Sequence, residues 1–142
     1  MRFRLIDEVL ECDAEHIVAV KNVTLTEEYL ADHFPSFPVL PGVLMLEALV
    51  QAARALLGSD HPRMVLGKVG PTRYGTFVKP GESMRVEVTL LKRGDDGTVA
   101  FKGGATVMTP GCPKEEEATC VSSRFTMRPL RITTAIPVCE TA

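Results

Sequence analysis

The segment over residues 41–57 constrains the fold more than any other part of the chain. It is rich in Leu, Ala, Val and Met and predicts a helix, with Pro41 in the first turn, where proline is tolerated, and Gly58 as the stop. The polar side chains after position 42 are spaced four and three residues apart and share one narrow stripe: Glu47, Gln51 and Arg54. Nearly every other face of this helix must therefore be covered by protein.

Strand-like runs supply a cover for the helix. Residues 4–12 and 16–23 flank a turn-prone Asp13-Ala14-Glu15 and predict a hairpin. Four more runs follow the helix and are separated by proline- or glycine-containing turns, at 64–71, 84–92, 98–108 and 118–127. We therefore predict an α+β fold in which a curved antiparallel β-sheet wraps one long central helix. A single domain would cover residues 1–128, and 129–142 would form a loosely packed tail.

Composition narrows the classes of function. The chain has 142 residues, 16 basic against 18 acidic, so it carries no basic field for nucleic acid. Neither a membrane span nor the apolar core of a signal peptide is present, so we expect a cytoplasmic protein. The four cysteines are scattered along the chain and lack a C-x-x-C pair: Cys12, Cys112, Cys120 and Cys139. We therefore expect no metal site, no other cofactor and no disulfide scaffold.

A proline-rich loop precedes the long helix. Residues 24–27 read Thr-Leu-Thr-Glu, a capping box that predicts a short helical turn through Leu30. Three prolines then exclude regular structure around His33. Histidine has an ordinary pKa of about 6.5, so a neutral imidazole here can act as a general base. Taken alone, a histidine such as His33 is most often an ordinary loop residue, and Glu47 could belong to a solvated helix stripe.

Read together, these residues resemble a known family signature. The motif comprises His33-Phe34-Pro35, Pro38, Pro41-Gly42-Val43-Leu44, Glu47-Ala48 and Gln51-Ala52. It is similar to that of the beta-hydroxyacyl-acyl carrier protein dehydratases of the hotdog fold, and weaker similarity extends over about residues 2–128. The resemblance implies a homodimer, or a trimer of dimers, with active sites between subunits. It further implies removal of water from a (3R)-3-hydroxyacyl thioester on acyl carrier protein, giving a trans-2-enoyl thioester in fatty acid biosynthesis.

The elimination needs a base for the C2 proton, an acid for the leaving hydroxyl and donors for the thioester oxyanion. His33 suits the base, and Glu47, on a largely buried helix, suits the acid; by resemblance that Glu47 comes from the partner subunit. First-turn amides at Gly42 and Val43 suit the oxyanion. We also expect Phe37 and Gln51 to contact substrate.

Several alternatives remain open. Family members commonly have glycine and then a basic or polar residue where this chain has Ser36 and Phe37, which also fits a dehydratase of a polyketide or specialised lipid pathway. A hotdog thioesterase would attack the same thioester with water, and a non-catalytic acyl-binding module would retain only the tunnel. Arg73 and Lys79 are candidates for carrier contacts, or ordinary solvated charges.

Overall fold

A computed structural model describes residues 3–59, 61 and 63–131. The helices are α1 (Tyr29–Asp32) and α2 (Gly42–Leu57), with a 3₁₀ turn at Lys114–Glu116. The strands are β1 (Glu8–Cys12), β2 (His16–Asn22), β3 (Met64–Tyr74), β4 (Ser83–Arg93), β5 (Val99–Met108) and β6 (Thr119–Pro129). Within this part of the chain they form one antiparallel sheet in the order β1-β2-β4-β5-β6-β3. Strands β1 and β3 are therefore its edges.

Helix α2 lies across one face of the sheet and contacts β2 through β6. Alternate residues of β4 point toward it and are fully buried, as period-two alternation requires: Met84, Val86 and Val88. Gly103 of β5 lets the helix approach closely, because an added Cβ would lie 3.2 Å from both Leu49 Cδ1 and Phe125 Cε1. The predicted α+β arrangement of a long helix wrapped by an antiparallel sheet is confirmed.

Two strand boundaries differ from the prediction. Strand β3 continues past Pro71 to Tyr74, because it is an edge strand whose register with β6 shifts between Val69 and Thr72, and proline is tolerated at such positions. Strand β1 begins at Glu8, four residues late. The Leu5 N–H donates to the Gln51 side chain on α2 instead of to a neighbouring strand.

The predicted helical turn over 24–30 is only partly right. The Glu27 carboxylate accepts the Thr24 N–H at 2.9 Å, as a capping box requires, yet the helix is confined to α1. Glu27 also pairs with the ammonium of Lys21, which is buried within the sheet. The Glu27 N–H donates to the Thr24 carbonyl at 3.3 Å, so residues 24–27 form a turn.

The two ends of the long helix follow the prediction closely. Helix α2 begins one residue after Pro41 and ends before Gly58, whose φ of 71° suits glycine. No helix in the described residues has the length and apolar character needed to cross a membrane. Most of the predicted tail, from residue 132 onward, lies outside the described residues.

Candidate active site

The loop between α1 and α2 is held in an unusual backbone conformation. The Phe37 N–H donates to the Phe34 carbonyl at 2.8 Å, closing a turn around Pro35. Phe34 has a φ of 52°, in the left-handed region, which costs a bulky residue about 1–2 kcal/mol. At the end of this loop, the Leu40 N–H donates to the Val78 carbonyl at 2.9 Å, which ties it to the protein core. The strain is thus maintained beside His33.

The contacts of His33 decide which ring nitrogen is basic. Its Nδ1 lies 3.2 Å from the carbonyl oxygen of Val39. A carbonyl oxygen only accepts, so Nδ1 must carry the proton in this hydrogen bond and Nε2 has the free lone pair. Val39 is completely buried, so the acceptor is fixed in position. The loop therefore presents one defined tautomer of the imidazole.

A cavity of about 210 Å³ lies beside His33. It is lined by the loop, the start of α2, the end of β3 with the segment after it, and one residue of β6: His33, Phe34, Leu40, Gly42, Met45, Tyr74, Gly75, Thr76, Phe77 and Cys120. The lining is mainly apolar, as expected for an acyl-binding site. Of the predicted site residues it brings together His33 and Gly42. Within the described part of one copy, Phe37, Val43, Glu47 and Gln51 lie outside it.

Gly42 is the first residue of α2, and a neighbouring ring occupies the space that a side chain at this position would need. A Cβ on Gly42 would lie 2.9 Å from Cε1 of Tyr74. The hydrogen bonds at the start of α2 begin with the Leu44 N–H donating to the Pro41 carbonyl at 3.0 Å. The amides of Gly42 and Val43 precede that bond, so they are available to an oxyanion at the positive end of the helix dipole.

Glu47 and Gln51 lie one helical turn apart on α2. Glu47 is half-buried, and its Oε1 accepts a hydrogen bond from Gln51 Nε2 at 3.2 Å. Gln51 also contacts the backbone of the N-terminal segment, at Phe3 and Leu5. In a single copy, therefore, the candidate base borders the cavity and the candidate acid does not.

Exposed apolar side chains surround the cavity mouth, and we call them the apolar rim: Phe34, Phe37, Val43, Tyr74 and Phe77. Phe37 and Phe77 meet edge to face, with ring centroids 5.9 Å apart. Val43 has 71% of its surface exposed. A group of exposed apolar side chains around one cavity is typical of a surface that another molecule covers.

Cys120 and Tyr74 line the cavity, although neither was predicted to be a site residue. Cysteine spacing carried no motif, and only the fold brings β6 and the end of β3 next to His33. The Cys120 thiol lies 3.4 Å from the Ala105 carbonyl. Burial raises the pKa of this thiol to about 11, so it is protonated at neutral pH and is not a nucleophile. The described residues also include no cluster of three metal-ligating side chains.

Comparison with known proteins identifies similar sequences. The family model for the FabA-like domain matches residues 1–109. A 3-hydroxyacyl-acyl-carrier-protein dehydratase FabZ from Solibacter usitatus is 34% identical over 123 residues, covering 83% of this chain and 75% of that protein. The enzymes of the same name from Clostridium perfringens and Streptococcus pyogenes are 39% and 40% identical. Those matches cover 77% and 68% of this chain, and 79% and 70% of the relatives.

Solved structures with much lower identity share the fold. The protein smu.793 from Streptococcus mutans, bound to acetyl CoA, has a TM-score of 0.67 at 13% identity, covering 90% of each chain. The dehydratase heterocomplex ApeI:P from Xenorhabdus doucetiae has a TM-score of 0.64 at 14% identity, covering 90% of this chain and 99% of that one. These likenesses confirm the predicted hotdog fold.

The first prediction concerns the buried thiol. Because a thiol reacts as its thiolate, Cys120 should remain unmodified by iodoacetamide at pH 7.5, while the exposed Cys12 is alkylated. The alkylation of Cys120 should accelerate as the pH rises toward 11. Peptide mass spectrometry of the folded protein measures both sites in one sample. Equal rates of alkylation at pH 7.5 would contradict the protonated, buried state.

Proposed function

We propose that this chain, which belongs to the FabA-like domain family, dehydrates 3-hydroxyacyl thioesters on acyl carrier protein. Water leaves a (3R)-3-hydroxyacyl thioester and a trans-2-enoyl thioester forms, in fatty acid biosynthesis. The observation that carries the proposal is the His33 imidazole, with Nδ1 bound to Val39 and Nε2 free, beside a cavity that it shares with Gly42. The 34–41% identity to enzymes named 3-hydroxyacyl-acyl-carrier-protein dehydratase FabZ supports the same reaction.

His33 is the proposed base for the C2 proton. With Nδ1 donating to a fixed carbonyl, a neutral imidazole has its lone pair on Nε2, and it is stabilised by the same bond once protonated. A positioned general base typically contributes about 10²–10⁴-fold in rate. The strained turn at Phe34 supplies that positioning, because it fixes the backbone next to the ring.

Gly42 is the proposed oxyanion donor. Removing the C2 proton moves negative charge onto the thioester oxygen. The Gly42 amide lies at the N-terminus of α2, and the absence of a side chain there admits both Tyr74 and a substrate atom. One such donor is commonly worth about 10²–10³ in rate. The same helix therefore serves the reaction through its first amide and through a carboxylate further along.

Glu47 is the proposed acid for the departing hydroxyl, supplied by a second copy. It does not line the cavity of its own chain, so the site is incomplete without a partner. Two features favour pairing. The edge strand β3 has eleven residues and is hydrogen-bonded on one side only, and the apolar rim is left uncovered. We therefore propose a homodimer, alone or as a trimer of dimers.

The carrier and the cell compartment are also proposals. Exposed Arg73 and Lys79 flank the cavity segment of residues 74–77, where they suit the phosphate of a carrier-bound thioester. Residues 1–128 would form the single catalytic domain. Free thiols at the described cysteines suit the reducing cytoplasm.

The second prediction tests the base and the acid. His33→Ala and Glu47→Gln should each lower kcat by about 10²-fold or more, because each removes one proton-transfer group. The double variant should lose much less than the product of the two losses, since both groups serve one elimination. Chromatography of a 3-hydroxyacyl carrier thioester measures enoyl product. Free thiol would indicate a thioesterase, and an unchanged substrate with wild-type protein would indicate a binding module.

The third prediction concerns selection of the acyl chain. Phe37 packs on Phe77, which lines the cavity. Phe37→Arg should therefore change the ratio of kcat/KM between short and long substrates, with about 1 kcal/mol at stake for each lost methylene contact. Leu25→Arg, which alters an equally apolar exposed residue outside the rim, serves as the control. A uniform loss at every chain length would place Phe37 in the loop scaffold instead.

The fourth prediction concerns assembly. We expect the active form to be at least a dimer, because pairing of two copies would bury the β3 edge and the apolar rim. Sedimentation velocity at assay concentration checks this. Val69→Pro on β3, at the last residue paired with β6 before the register shift, and Val43→Asp on the rim should both shift the protein toward monomer and lower activity in parallel. A fully active wild-type monomer would contradict the shared site.

A further inference from the structure

We propose that Gln51 and the backbone of residues 3–5 form a brace that positions the Glu47 carboxylate. Gln51 is then a positioning residue for the acid and not a substrate ligand. The inference rests on the proposed role of Glu47 in dehydration. It adds a function for the N-terminal segment, which the family motif does not include.

The orientation of the Gln51 amide follows from its contacts. The Leu5 N–H is a donor only, and it lies 2.7 Å from Oε1 of Gln51, so that atom must be the oxygen. Its Nε2 is then directed at two acceptors, the Phe3 carbonyl at 3.0 Å and Glu47 Oε1 at 3.2 Å. Both N–H groups have a partner within the chain. Gln51 consequently has no spare donor to offer a substrate.

The far end of the brace is anchored in the core. The Leu5 side chain is 2% exposed and belongs to the main hydrophobic cluster, and Ile6 packs against that cluster. Two residues later the Asp7 N–H donates to the Val20 carbonyl at 2.8 Å, joining the segment to β2. The Leu5 amide is therefore fixed relative to the sheet, and Gln51 transmits that fixed position to Glu47.

The brace leaves one side of the acid free. Gln51 holds Oε1 of Glu47, whereas Oε2 has no hydrogen-bond partner among the described residues. One oxygen thus sets the rotation of the carboxylate, and the other is available for the leaving hydroxyl. Misplacement of a catalytic group by about 1 Å can cost about a hundredfold in rate. A brace of three hydrogen bonds is suited to prevent such a displacement.

A neighbour on the same stripe provides a matched control. Arg54 is exposed, and its Nε contacts the Met64 carbonyl at 3.4 Å and not Glu47. If the polar stripe merely solvated the helix, changes at Gln51 and at Arg54 would have similar small effects. The brace predicts that only Gln51 is coupled to the acid.

The test combines three variants with steady-state kinetics. Gln51→Met removes all three hydrogen bonds, and Gln51→Glu keeps an acceptor for the Leu5 N–H but cannot donate to Glu47 as an ionised side chain. Both should lower kcat by about tenfold to a hundredfold, with KM changed by less than about twofold. Arg54→Met should retain wild-type kcat. A fully active Gln51→Glu would show that Gln51 only anchors the N-terminal segment, and would overturn the proposal.

A double-variant cycle separates positioning from general structural damage. In a Glu47→Gln background, Gln51→Met should reduce the residual kcat by less than about twofold, because the group it positions is already absent. An equal loss in both backgrounds would overturn the brace. If urea unfolding shows that Gln51→Met does not fold, the same cycle is carried out with Gln51→Glu in its place. Wild-type activity in Glu47→Gln would instead refute the proposed acid.

Discussion

The seating of α2 on the sheet is the constraint on which the remaining structure depends. A helix with Leu49 pressed against Gly103 can neither slide nor rotate without leaving apolar surface exposed. The position of the helix on the sheet therefore fixes the position of every residue of α2. Gly42 is set against the Tyr74 ring at the cavity, and Glu47 is set outside the cavity of its own chain. Burial thus provides the rigidity that the proposed proton transfer and oxyanion binding need.

Much of the fold could be predicted from periodicity and breakers. Apolar runs alternate along β4, and Pro41 and Gly58 flank α2, so these elements depend on local chemistry alone. The errors arose where a tertiary contact overrides local preference. Strand β1 starts late because the Leu5 amide binds the Gln51 side chain, and β3 runs past Pro71 because its pairing with β6 resumes after a register shift.

The site was predictable to a different degree. His33 and Gly42 could be found from a motif, because a loop and the helix that follows it are close in sequence. Tyr74 and Cys120 reach the same cavity through sheet pairing between β3 and β6, which no local pattern encodes. The positive φ of Phe34 was equally hidden, since a Phe-Pro pair suggests extended backbone. The strained backbone at Phe34 is maintained by hydrogen bonds along the whole loop, at Phe37 and Leu40.

We propose that His33 of one subunit acts together with Glu47 of the other. Differently tagged His33→Ala and Glu47→Gln chains, each inactive alone, can be co-expressed and the heterodimers isolated. A shared site predicts that these heterodimers regain about half of wild-type turnover, because one of their two sites then contains both intact residues. Heterodimers that stay as inactive as either parent would contradict the account and place both groups on one chain.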